Sequence, residues 1–203
     1  MLSGGVGNDG LLGDSGNDFI DGGEGNDWLF GGSGNDSIAG RNGGDILVGE
    51  GGNDLLAGNA GADILRGGNG DDALDGGEEN DLLLGEAGND VVFGNAGSDS
   101  LLGGDGADTL DGGMGIDTLI GGEGVDIFVA NVDDRDDGAT EAFGLVADFE
   151  DGIDLVAIAG LSPIDTLTWS DTVGGTGIFV NGNQVFQIIG INSSVISSSD
   201  FVR

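Results

Sequence analysis

Large apolar residues recur in this chain every nine positions: Leu11, Ile20, Leu29, Ile38, Leu47, Leu56, Leu65, Leu74, Leu83, Val92, Leu101, Leu110, Leu119 and Phe128. Neither a helical period nor simple strand alternation gives that spacing, so the unit is a repeat of short elements. From Gly4 to Val129 the sequence divides without gap into fourteen nonapeptides, the first four reading GGVGNDGLL, GDSGNDFID, GGEGNDWLF and GGSGNDSIA. Position 1 is Gly in every copy, position 4 in thirteen, position 6 is always Asp, and position 8 carries the apolar residue.

The columns predict the local structure. Gly at positions 1 and 4, and often at 2, suits positive φ and close backbone approach, so the first six residues are expected to form a turn. The last three form a very short strand, with position 8 inward and positions 7 and 9 outward. Two nonapeptides make one flattened coil, turn, strand, turn, strand, so residues eighteen apart stack on one another. The chain is therefore expected to be all-β over residues 1–129, a solenoid of seven coils, with a separate segment at 130–203. A core one side chain wide is thin for a chain so rich in Gly, which loses the most conformational entropy on ordering. The fold calls for a stabilising ligand.

Composition narrows the ligand. The 203 residues include 47 Gly and 38 acids against four arginines, Arg41, Arg66, Arg135 and Arg203, for a net charge of −34. There is no His, Cys, Lys or Tyr, which removes the Ser-His-Asp triad, the Cys nucleophile, the usual zinc ligand sets and disulfides. HExxH is impossible and GxSxG does not occur, so the chain reads as no enzyme. The scattered arginines offer no surface to nucleic acid or an anionic membrane, and no apolar run approaches the length of a membrane span. No N-terminal secretory signal is visible. GVGNDG at Gly5–Gly10 fits the GxGxxG spacing, but it lies inside the repeat with no helix after it, so a dinucleotide site is not expected.

Stacking at eighteen residues gathers the position-6 acids into two columns. Asp9, Asp27, Asp45, Asp63, Asp81, Asp99 and Asp117 share one edge; Asp18, Asp36, Asp54, Asp72, Asp90, Asp108 and Asp126 share the other. Carboxylates stacked this way repel one another unless cations lie between them. Flexible oxygen ligands, carboxylates and backbone carbonyls, suit calcium better than octahedral, hydrated magnesium. Seven turns per edge leave six gaps, hence about twelve calcium sites. Twelve divalent ions would balance the twenty-six acids and two arginines of residues 4–129.

The motif GGxGxD followed by x-apolar-x resembles the RTX (repeats-in-toxin, haemolysin-type) calcium-binding family. The resemblance implies a right-handed parallel β-roll with a small C-terminal β-rich cap. It also implies a ligand set: the earlier turn gives its Asp and the carbonyls of positions 2 and 4, the later turn its Asp and the carbonyls of positions 1 and 3. Asp9 and Asp27 would then hold an ion with Gly5, Gly7, Gly22 and Glu24, and Asp18 and Asp36 the next with Asp14, Gly16, Gly31 and Ser33. In the ninth repeat, GGEENDLLL, Glu79 replaces the position-4 Gly. A side chain there makes positive φ costly, which marks the site joining Asp81 to Asp99 as the weakest.

Beyond residue 129 the Gly content drops and Ser and Thr rise. The acidic stretch Asp133 to Gly138 reads as a solvated loop, since an EF-hand reading fails at Arg135 and Gly144. Ala147 to Leu155 is similar to the DFxxGxDxI/L segment that follows RTX repeats. Its Asp148 and Asp154 either add a capping calcium site or end strands of the cap. Asn181-Gly182 predicts a tight hairpin turn. The ending Asp200-Phe201-Val202-Arg203 is similar to the C-terminal signal that RTX proteins present to a type I secretion transporter, apart from its last residue. At the other end, Met1-Leu2-Ser3 fits positions 7 to 9 of a preceding repeat, which reads as a start in mid-repeat.

The outward positions of the odd repeats carry an apolar stripe that includes Trp28, Phe30, Ile46, Val48, Ile64, Leu82, Leu84 and Leu102. It predicts either a covered or self-associating surface or residues half buried by their own turns. The resemblance as a whole implies a secreted, extracellular, non-catalytic protein, exported in the Gram-negative manner without an N-terminal signal and folded by calcium outside the cell. Ligands assembled only in the folded state turn calcium affinity into folding free energy. The alternative is the C-terminal tail of a larger secreted protease, lipase or epimerase, or of an adhesin; an ice-binding surface is disfavoured because position 3 is never Thr.

Overall fold

A computed structural model describes residues 1–131 and, beyond them, residue 198 and the strands at 144–146, 155–159, 167–172, 175–180, 183–189 and 201–202. The repeats form strands β1 (Leu2–Val6), β2 (Gly10–Leu12), β3 (Phe19–Glu24) to β12 (Ser100–Asp105), β13 (Thr109–Asp111), β14 (Thr118–Glu123) and β15 (Ile127–Asn131). Odd-numbered strands pair in parallel in one sheet and even-numbered strands in the other. The register is eighteen residues throughout: Leu29 faces Leu47, and Leu47 faces Leu65. One coil is thus two nonapeptides, and the architecture is a parallel β-roll.

The strands are longer than the sequence suggests. From β3 to β12 each is six residues, spanning positions 7 to 9 of one repeat and 1 to 3 of the next, so the turn is only positions 4 to 6. The extension arises because positions 2 and 3 still pair between coils, as Gly23 does with Arg41 and Glu24 with Asn42. Positions 6, 8 and 1 alternate inward with the period of a strand. Position 8 fills the core, with Ile20, Leu29 and their successors to Phe128 essentially inaccessible. Leu11, in the first coil, is only partly covered. In-register stacking of like side chains suits sheets of this regularity.

The cap continues both sheets. Strand β16 (Gly144–Val146) pairs in parallel with β14, and β17 (Leu155–Ala159) with β15, placing Val156 opposite Phe128. The Leu155 N–H donates to the Asp126 carbonyl at 2.7 Å, as Ile127 does to Asp108 at 2.8 Å. One sheet then ends in β18 (Leu167–Thr172), β19 (Gly175–Val180) and β20 (Asn183–Ile189), antiparallel to each other, with β20 parallel to β16. Val180 pairs with Asn183, and Asn181-Gly182, the expected turn, lies outside the described residues. The other sheet ends in β21 (Phe201–Val202), which pairs with β17. Asp133 to Gly138, Asp148, Asp154 and Asp200 lie outside the described residues. Among the described residues no helix is long and apolar enough to cross a membrane.

Candidate metal centre

The acids of position 6 point into the roll. From Asp27 to Asp126 they are buried, and only Asp9 and Asp18, in the first coil, are partly open. Within each column the backbone N–H of one Asp donates to Oδ1 of the Asp one coil later. The bonds measure 2.7 Å from Asp9 to Asp27 and from Asp18 to Asp36, and 2.9 Å from Asp108 to Asp126. This ladder spaces the carboxylates, one coil apart, along both edges.

The other carboxylate oxygen has no such partner. Oδ2 is buried without a hydrogen bond in Asp9, Asp27, Asp36, Asp45, Asp54, Asp63, Asp72, Asp81, Asp90, Asp99 and Asp108. A buried unpaired charged oxygen is among the costliest groups a protein can carry, so the same vacancy in turn after turn points to a cationic partner.

Backbone carbonyls converge beside these oxygens. A β-carbon on Gly4 would lie 2.6 Å from both Asp9 Oδ2 and the Gly22 carbonyl oxygen; one on Gly13 would lie 2.9 Å from Asp18 Oδ2 and 2.5 Å from the Gly31 oxygen. Of the two causes expected for Gly at position 1, close backbone approach applies and positive φ does not. Position-1 residues are not at positive φ; they are Gly because a side chain would fill the cradle between carboxylate and carbonyl. Positive φ belongs to positions 2 and 4, and at position 2 Asp14, Arg41, Glu50, Asn59, Glu86 and Asn95 adopt it as well.

Residues of the expected sets lie on adjacent coils. The Gly7 N–H donates to the Glu24 carbonyl at 2.7 Å, and the Gly5 carbonyl abuts Gly23. One edge over, Gly16 donates to Ser33 at 2.8 Å and Ser33 to Asp14 at 3.0 Å. Among the described residues no three His, Cys, Asp or Glu side chains converge on one point. Each gap instead combines two carboxylates with main-chain carbonyls, an all-oxygen set that fits a large hard cation.

Burial makes several of these acids resist ionising. Burial raises the carboxyls of Asp45, Asp54, Asp90 and Asp99, against the lowering effect of the backbone N–H each accepts. Asp63 and Asp72 rise to about 7, and Asp81 and Asp108 to about 6, by burial first and with a further contribution from neighbouring carboxylates.

A second ladder runs along position 5, which the sequence reading left without a role. Asn8 Oδ1 accepts the N–H of Asn26 at 3.0 Å, and Asn26 Oδ1 that of Gly44 at 3.3 Å; Asn17, Asn35 and Asn53 do the same on the other edge. These bonds run opposite to those of the aspartates, so turns stacked on a position-5 Asn are clasped from both neighbouring coils. The signal was present in the recurring Gly-Asn-Asp triplet.

Inward acids, glycine cradles and parallel stacking define a β-roll with columns of buried carboxylates along its two edges. The model of the RTX calcium-binding nonapeptide repeat, four copies long, matches residues 3–38, 39–74, 66–101, 75–110 and 102–134. These matches cover well over half of the chain, which belongs to this family of calcium-binding repeats; the roll they form is structural rather than catalytic. Among solved structures the chain is similar to the extracellular lipase LipA from Serratia marcescens, with 17% identity, a TM-score of 0.50 and 93% of the chain covered. The chain spans 40% of that lipase. It is also similar to the AlgE6R3 subunit of the Azotobacter vinelandii mannuronan C5-epimerase, with 26% identity, a TM-score of 0.33, and 67% of this chain and 80% of that one covered. Comparison with curated protein sequences finds no match.

Proposed function

We propose that the chain is a calcium-gated folding module of a secreted protein, with about twelve ions held in the gaps between successive turns and no catalytic group of its own. The observation that carries this reading is the buried, unpartnered Asp Oδ2 that recurs beside a converging carbonyl. In the Asp9–Asp27 gap the ligands are the two carboxylates and the carbonyls of Gly5, Gly7, Gly22 and Glu24; in the Asp18–Asp36 gap, the two carboxylates and those of Asp14, Gly16, Gly31 and Ser33. A bound cation supplies the positive charge that lets stacked carboxylates ionise together. The chain's part is to present the oxygens only when coils stack, so ion binding and folding are one equilibrium.

The chain would stay unfolded at low cytosolic calcium, leave through a type I transporter, and fold outside, with residues 130–203 acting as cap and export segment. The extracellular location of the lipase that shares the fold supports this destination. Its greater length favours a second reading, in which the roll is the carboxyl tail of a larger secreted enzyme or adhesin. In the stripe Phe30, Val48, Leu84 and Leu102 are half buried by their own coils, whereas Trp28 is 59% exposed. We take the exposed part as a contact surface for self-association, so Trp28→Glu and Ile64→Glu should change particle size in light scattering. Far-UV circular dichroism of the stripped chain during a calcium titration tests the main reading. A β signal that grows with calcium supports it, and equal order in chelator overturns it.

A further inference from the structure

One turn breaks the regularity of the roll. The N–H of each position-4 residue donates to the position-3 carbonyl of the next coil, at 2.7 to 2.9 Å from Gly7 to Gly52 and again at Gly70, Gly88, Gly97 and Gly106. The Gly61 to Glu78 bond stretches to 3.4 Å, and the series skips Glu79. The cause is conformational. Position-4 glycines up to Gly61 hold φ between +105° and +130°, a range open to Gly, whereas Glu79 sits at +77°. Gly97, stacked on Glu79, is the one position-4 glycine outside the left-handed range.

The disturbance is local. Ser100 still donates to the Asp81 carbonyl at 2.9 Å, and the Asp81 N–H to Asp99 Oδ1 at 2.8 Å. Strand pairing and the carboxylates are in place, and the Glu79 carbonyl still lies against Gly97; what the Asp81–Asp99 gap loses is the position-4 N–H bond between its two coils. In a solenoid each coil is stabilised chiefly by its neighbours, so a weakened contact between two coils divides the cooperative unit.

We propose that Glu79 splits the roll into two calcium-loading blocks, with the Asp81–Asp99 gap the last to fill; this rests on the calcium reading above. Folding with calcium then has two steps, the second needing about fivefold more calcium or higher, the factor set by one strained residue. The two tryptophans flank the seam, Trp28 in β4 (Trp28–Ser33) and Trp169 in β18. In the full chain, Trp169→Phe and Trp28→Phe variants let each block report its own fluorescence change as calcium is added.

The expected result is two different midpoints that merge in Glu79→Gly and stay apart in Glu79→Ala, which keeps a β-carbon at the positive-φ position but removes the carboxylate. Coincident midpoints in the parent chain, or merging in Glu79→Ala, would overturn the proposal while leaving calcium-dependent folding intact. No response to calcium in any variant would instead overturn the calcium reading on which it stands.

Discussion

The backbone N–H of Asp45 donates to Oδ1 of Asp63 at 2.7 Å, and the N–H of Asp63 in turn donates to Oδ1 of Asp81 at 2.8 Å. Asp63 therefore belongs to two gaps at once. Asp9, in the first coil, borders one gap among the described residues.

That sharing makes the ion count depend on position. Asp63→Asn keeps an acceptor at Oδ1 but removes the charge from two gaps, so it should release about two ions; Asp9→Asn should release about one. Atomic emission on desalted protein reads the difference, and equal losses from both variants would contradict the shared ladder.

Position-1 glycines should be intolerant for steric reasons alone. A β-carbon on Gly58 would collide with Asp63 Oδ2 and lie 2.6 Å from the Gly76 carbonyl oxygen, whereas one on Gly51 would have its nearest neighbour 4.0 Å away, the Gly32 oxygen. Neither residue is at positive φ. Gly58→Ala should raise the calcium needed for half-folding severalfold and Gly51→Ala should leave it near the parent value. Matching behaviour in titrations followed by circular dichroism would show that the cradle is not what position 1 protects.

Much of this was legible in the sequence because the repeat is strict: the coil length, the register, the inward column from Ile20 to Phe128 and the two Asp columns follow from spacing alone. Three features were not. Strand length was underestimated because Gly-rich positions 1 to 3 look like turn, yet they pair between coils, where propensity is overridden by a neighbour in register. Which of two causes fixes the position-1 Gly, positive φ or close approach, was hidden because the approach is to a carbonyl one coil away, as at Gly4 and Gly22. The position-5 ladder also needs the stacked coil before Asn8 and Asn26 are seen to meet.

The core column should show a gradient. Leu65 is fully buried in the middle of the roll, and Leu11 is partly covered in the first coil. Leu65→Ala should cost about 2–5 kcal/mol, the usual range for a buried leucine, and Leu11→Ala clearly less. Urea unfolding at saturating calcium measures both; equal costs would mean the end coil is packed as tightly as the middle.

Protons and calcium should compete, in opposite senses for the bare and the loaded chain. In the ion-free fold Asp63 and Asp72 sit at about 7 and Asp81 and Asp108 at about 6, all above the 3.8 of an unperturbed Asp. A group whose folded value is raised binds its proton more tightly in the folded state. Its stabilising contribution is complete below about pH 4 and is lost as pH rises through 6 to 7. The stripped chain should accordingly gain β signal on acidification from pH 8 to 4. Calcium requires the ionised carboxylates, so the calcium concentration at half-folding should rise as pH falls from 8 to 5.5. Parallel titrations at three pH values check both arms. A midpoint that does not move with pH would mean that these acids are ionised in the fold before the cation arrives, which is incompatible with the burial seen at Asp63 and Asp72.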